Sequence, residues 1–261
     1  MVTQSELHTL AKDPTLIKGI YTFCDQWCSY CGATAHCLVY RCNPGAIQMK
    51  AAVPSVADDE PPDRLLERLM TEKCLAEAEG RLAPAEIEIM LSGDCDRQKQ
   101  LLSLSDPLER LGRQYMMTAA AYLSTTATDL PQPPPSPGAP TALEVFEWFH
   151  ALVPARIFRA LVSDIEAGSG VPGRSEDTLA TAKMALVGID RSLEAVTALA
   201  TYADDPRLDL LTSLLQRLGP EVERRFPGAR GYLRPGLDAD GRGTSFLARA
   251  LRLVRLTRHV R

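Results

Sequence analysis

Five of the chain's seven cysteines lie together, in the order Cys24-x3-Cys28-x2-Cys31-x5-Cys37-x4-Cys42. Thiolate sulfur is a soft donor, and the first four of these fall within fourteen residues, close enough to wrap one metal centre. A cubane iron–sulfur cluster suits the pattern, because each iron needs one thiolate while backbone amides donate to the sulfides. Zinc also accepts four thiolates, but structural zinc sites usually split their ligands into two short knuckles separated by a longer spacer. Here the spacings run together. The expected ligands are Cys24, Cys28, Cys31 and Cys37, the expected cofactor is an iron–sulfur cluster of the 4Fe–4S type, and zinc is the alternative. His36 directly precedes Cys37, and adjacent residues seldom point at the same metal. Cys74 and Cys95 have no partner close in sequence and read as inert thiols.

Weaker constellations lie elsewhere. Trp27, Tyr30 and Tyr40 flank the thiols and read first as core packing, with water exclusion around a metal as the functional alternative. Glu147 and His150 are three apart, so they share a helical face as in carboxylate-bridged di-iron bundles. No second such pair exists, and the bland reading is a half-buried histidine near the kink expected at Pro154. Gly188 and Asp190 interrupt an apolar run, as close helix packing beside a solvated carboxylate would. Arg249, Arg252, Arg255, Arg258 and Arg261 recur every third residue with no acid after Asp240. That stripe reads as a solvated face rather than a nucleic-acid contact. Asp238-Ala239-Asp240-Gly241 has the look of a calcium loop, but Arg249 stands where the closing glutamate belongs. No phosphate-binding glycine loop or nucleophile elbow is present.

The elements that must position the thiols are helical. Asp106-Pro107-x-Glu109 supplies a cap, a first-turn proline and a returning carboxylate. Leu108, Leu111, Tyr115, Ala119 and Tyr122 then mark one inward face. Thr141-x-x-Glu144 is a capping box, followed by Phe146, Phe149, Val153, Ile157 and Ala160. Ser175-Glu176-Asp177 opens a third helix with Ala182, Leu186, Ile189, Leu193 and Val196 inward. Asp205-Pro206 and Gly219-Pro220-Glu221 predict two more starts, and a last helix begins near Thr244. Only Ile20 to Phe23 and Cys37 to Tyr40 suggest extended segments. The expected fold is all-α: a helical bundle with an irregular Cys-rich N-terminal segment that binds metal. Its parts are residues 1–50, the Cys-rich segment; 60–125, a first helical part; 126–140, a linker with six prolines; and 141–261, a second helical part. The two helical parts form either one bundle or two domains.

Composition bounds the function. The chain has 261 residues, 45% of them hydrophobic and 24% charged, with a formal net charge of −4. A bulk charge of that sign argues against a nucleic-acid binder. No apolar run is long enough to span a bilayer, and the polar start lacks the apolar core of a secretory leader. The expected location is the cytoplasm, where cysteines serve as metal ligands or free thiols more often than as disulfides. The expected role of the cluster is electron transfer, redox sensing or stapling the N-terminal segment to the bundle, with a structural-zinc interaction module as the alternative. A redox protein is a candidate partner, and no enzymatic reaction is assigned.

Three resemblances enter at these residues. Cys24-x3-Cys28-x-Tyr30-Cys31 resembles the radical S-adenosylmethionine motif, which implies three cluster ligands and an open iron that binds the nucleoside. Against it, Cys37 is well placed to fill the fourth position, and the alternating strands and helices of a parallel barrel are missing. Cys28-x2-Cys31-x5-Cys37-x4-Cys42 is similar to the auxiliary-cluster loops of SPASM domains, which usually close with three residues rather than four between the last two cysteines. More broadly, CDQWCSYCGATAHC, VFEWFHALVPARIFRAL, AKMALVGIDRS and FPGARGYLRPGLD resemble a family of bacterial helical proteins with the same spacing at Cys24, Cys28, Cys31 and Cys37. That resemblance implies a shared fold and metal loop and brings no activity with it.

Overall fold

The capping signals become the starts of long helices. A computed structural model describes residues 4–42, 102–126, 139–168 and 174–238. All regular structure among them is helical. Helix α1 is Gln4–Leu10 and α2 is Leu38–Cys42, followed by α3 (Pro107–Thr126), α4 (Ala142–Gly168), α5 (Arg174–Leu199) and α6 (Pro206–Arg225). At the start of α3, Asp106 Oδ1 accepts from the Leu108 amide at 2.8 Å. At α4 the capping box closes both ways: the Thr141 amide donates to Glu144 Oε2 at 2.7 Å and the Glu144 amide to Thr141 Oγ1 at 3.1 Å. Asp205 caps α6 by accepting from the Arg207 amide at 2.9 Å.

The inward faces are those the periodicity marks. Leu108, Leu111, Tyr115, Ala119 and Tyr122 of α3 are buried, as are Phe146, Phe149, Val153, Ile157 and Ala160 of α4. On α5, Ala182, Leu186, Ile189 and Val196 are buried, and Leu193 packs half-buried against the same core. Helices α3 to α6 contact in a closed ring, α3 on α4, α4 on α5, α5 on α6 and α6 back on α3, with the α4–α5 face the most extensive. Burial of that apolar core is the main favourable term in such a fold. Gly188 of α5 is what allows the closest α4–α5 approach: a Cβ built there would stand 2.8 Å from Val153 Cγ2 and 3.2 Å from Phe149 Cδ1.

Two local expectations are corrected. Gly219-Pro220 does not open a new helix; α6 runs through it to Arg225. Pro220 forgoes the bond to the carbonyl of Gln216, which is exposed to water, while Leu215, Leu218 and Val222 carry one buried face across the proline. Ile20 to Phe23 do not form an extended segment, and of Cys37 to Tyr40 only Cys37 has extended backbone. The first forms a 3₁₀ turn, Ile20–Thr22, closed by the Phe23 amide on the Ile20 carbonyl at 3.3 Å, and the second feeds α2. No strand exists among the described residues to pair with them, so their backbone groups bond locally. The helix expected from Thr244, the arginine stripe, Cys74, Cys95, most of the linker and residues 60–101 lie outside the described residues.

Candidate metal centre

Three short turns bring the thiols together. Cys28–Tyr30 is a 3₁₀ turn closed by the Cys31 amide on the Cys28 carbonyl at 3.2 Å. Thr34–His36 is another, closed by the Cys37 amide on the Thr34 carbonyl at 3.2 Å. Side chains three apart eclipse in this geometry, so Cys28 and Cys31 face one way. Between Cys24 and Cys28, Gln26 has a φ of 57°, in the left-handed region. There a non-glycine residue is strained and is held by its surroundings.

The result is a recess lined by Cys24, Cys28, Cys31 and Cys37, with Ile20 and Trp27 as apolar wall and Asp25, Gln26 and Thr34 at the edge. The recess is shallow, with a cavity volume of about 10 Å³. Cys37 is buried, and Cys24, Cys28 and Cys31 are half-buried. Cys42 is half-buried but does not line the recess. Two amides point at sulfur: the Ala33 N–H donates to Cys31 Sγ at 3.4 Å, and the Gln26 amide bonds Cys24.

The electrostatics of the recess oppose bare thiolates. Burial, then the Asp25 carboxylate, pushes the Cys24 thiol up to about 12, although Arg156 opposes the shift. Burial, then the charges of Cys31 and Cys37, pushes Cys28 up to about 12. Burial raises Cys31 and Cys42 as well. Four anionic sulfurs in one apolar recess repel each other and lack water, so a cation must neutralise them before they ionise together. Among the described residues no three His, Cys, Asp or Glu side chains form a group placed to hold a metal ion.

The bundle grips this loop from behind. The Trp148 indole N–H of α4 donates to the Asp25 carbonyl at 2.9 Å. Arg156, two turns further along α4 and buried, donates to the Thr22 carbonyl at 3.1 Å and the Cys24 carbonyl at 3.0 Å. Arg191 of α5 pairs with the Asp25 carboxylate at 2.5 Å. Trp27 stacks on Trp148 with ring centroids 5.1 Å apart and belongs to the main core, as the packing reading expects. Cys37, Ile20, Phe23 and Ala33 pack against Ala180 of α5 and Leu237, so the segment after α6 also closes on the loop. Gly236, with φ of 68°, lets that segment touch Ile17, where a Cβ would meet the isoleucine at 2.1 Å.

Sequence reasoning missed Arg156, Trp148 and Arg191 as parts of the site. One signal was available: Arg156 interrupts the apolar stripe made by Val153, Ile157 and Ala160, and a cation on a buried stripe needs a partner. The other candidates disperse. His36 donates from Nδ1 to the Thr15 carbonyl at 2.7 Å and does not line the recess. Glu147 is exposed, while His150 is buried rather than half-buried and hydrogen-bonds the Glu147 carbonyl at 2.6 Å, so the pair makes no carboxylate–imidazole contact of the di-iron kind. Asp190 is exposed and pairs with Arg230, and Asp238 pairs with Arg234.

No family model, curated protein or solved structure matches the chain. No helix among the described residues is long and apolar enough to cross a membrane.

Proposed function

We propose that this chain is an iron–sulfur protein that carries one 4Fe–4S cluster on Cys24, Cys28, Cys31 and Cys37 and exchanges electrons with a redox protein partner. The observation that carries the reading is the shared recess: the four cysteines singled out by spacing line it, and Cys42 does not. What supports a polynuclear centre is the donor set: the four thiols line one recess, and backbone amides already bond Cys24 and Cys31. The chemistry that such a cluster supplies is a one-electron couple. The chain's own part is to hold the loop, through Trp148, Arg156 and Arg191, and to shield one side with Trp27. The open side of the recess offers a partner a short path.

Anaerobic purification, followed by reconstitution with ferrous iron and sulfide, tests this. The expected product is brown, with four irons and four sulfides per chain, and it does not bind S-adenosylmethionine because Cys37 completes the ligand set. A colourless protein that retains zinc and refuses iron would replace the proposal with a structural-zinc interaction module. Reductive cleavage of S-adenosylmethionine would make the chain a radical enzyme.

A further inference from the structure

Arg156 is a buried cation on the apolar face of α4, with only 6% of its surface exposed. Burying a guanidinium is costly unless it is bonded and its charge is used. Its two terminal nitrogens reach the carbonyls of Thr22 and Cys24, which places the positive charge directly behind the first ligand of the recess. Beside it, Asp25 is the carboxylate at the edge of the same recess, and Arg191 neutralises it from α5 while stacking over Phe149 at 5.3 Å. The two guanidiniums come from two different helices and converge on residues 22–25.

Resting on the cluster reading above, we propose that Arg156 and Arg191 are positioning residues that set the cluster's reduction potential, by holding the Cys24 turn and placing positive charge beside its sulfurs. A cluster with four thiolates is anionic in both redox states and more so when reduced. A fixed cation in a poorly solvated wall therefore favours the reduced form and raises the potential. Arg191 acts through Asp25: without it, a bare carboxylate faces the same sulfurs and favours the oxidised form.

Three variants separate charge from shape. Arg156→Gln keeps a donor for the carbonyls and removes the charge. Arg156→Lys keeps the charge with fewer donors. Arg191→Met strips the counter-charge from Asp25. Each full-length protein is reconstituted, its iron and sulfide are counted, and its midpoint is read by mediated titration with dithionite under an optical or EPR monitor. Arg156→Gln and Arg191→Met are expected to shift to more negative potential than the wild type, and Arg156→Lys to stay nearer to it. Full cluster content with an unmoved potential in both charge-removing variants overturns the proposal while leaving the cluster reading intact. Equal loss of cluster in Arg156→Lys and Arg156→Gln also overturns it, because shape would then be the whole contribution. A wild-type protein that takes up no iron and sulfide defeats the cluster reading and this proposal together.

Discussion

Cys37 is the thiol whose ionisation opposes that of all four described neighbours, Cys24, Cys28, Cys31 and Cys42, on top of the burial that raises each of them. It is also the most buried of the set. On the proposed reading, replacing Cys24, Cys28, Cys31 or Cys37 singly by serine should lower bound iron and sulfide sharply, with Cys37→Ser the most damaging. Cys42→Ser should keep near-full content, because its side chain does not line the recess. Loss of the cluster in Cys42→Ser with retention in Cys24→Ser would reverse the ligand assignment. That these four cysteines share a recess was legible because they are near in sequence and their spacing alone constrains a loop. The residues that hold the loop were not, because Arg156 and Cys24 are 132 positions apart and only packing unites them. A second residue carries a pH dependence. His150 is buried, its Nδ1–H is committed to the Glu147 carbonyl, and burial holds it below its ordinary value of 6.5. The unfolded chain thus takes up its proton near pH 6.5, and the folded chain only at lower pH. Stability is present above 6.5 and drains away as pH falls through the folded value, whereas Asp205 and Asp238, held below 3.8, give way only in stronger acid. Urea midpoints of the wild type should fall as pH drops below 6.5, and His150→Gln should flatten that slope.

At the scale of the helix, caps and periodicity read correctly because they depend on neighbours three or four residues away. Thr141 and Glu144 form the reciprocal box, and Tyr115 and Phe146 turn inward as their spacing requires. Gly219-Pro220 misled because the two residues favour a break locally, and the buried run of Leu215, Leu218 and Val222 overrides them. Gly188 shows the opposite balance. Alanine there gains about 1 kcal/mol of helix propensity. Its methyl, however, would enter a contact with Val153, a β-branched side chain with little freedom to swing away. Overpacking of that kind costs about 1–3 kcal/mol. Gly188→Ala should therefore be destabilising by roughly 1 kcal/mol net, read from denaturant midpoints at constant m-value. Combining it with Val153→Ala should cost less than the sum of the two, because the second change makes room for the first. Simple additivity would show that α4 and α5 shift apart instead.

The whole molecule joins segments from both sides of the proline-rich stretch. Helix α3 precedes it, α4 and α6 follow it, and the buried faces of all three share one core. Limited proteolysis should cut early between Asp129 and Ala139, where successive prolines forbid a helical ladder. The two fragments should nevertheless co-elute on a sizing column in native buffer and separate only in denaturant. Separation without denaturant would mean that the α3 contacts are too weak to hold the halves together. The long reach from the cysteine turn to α4 and α5 also bears on how the protein comes to be made. Asp25 is bonded by Trp148 and Arg191, which lie 123 and 166 positions later. On a ribosome adding about 5–20 residues per second, the thiols emerge several seconds before the helices that shelter them. During that interval the nascent loop has no wall of tryptophan and arginine behind it. Under the proposed function, the cluster is received after translation by a finished bundle, and the newborn cysteines depend on a reducing compartment until then.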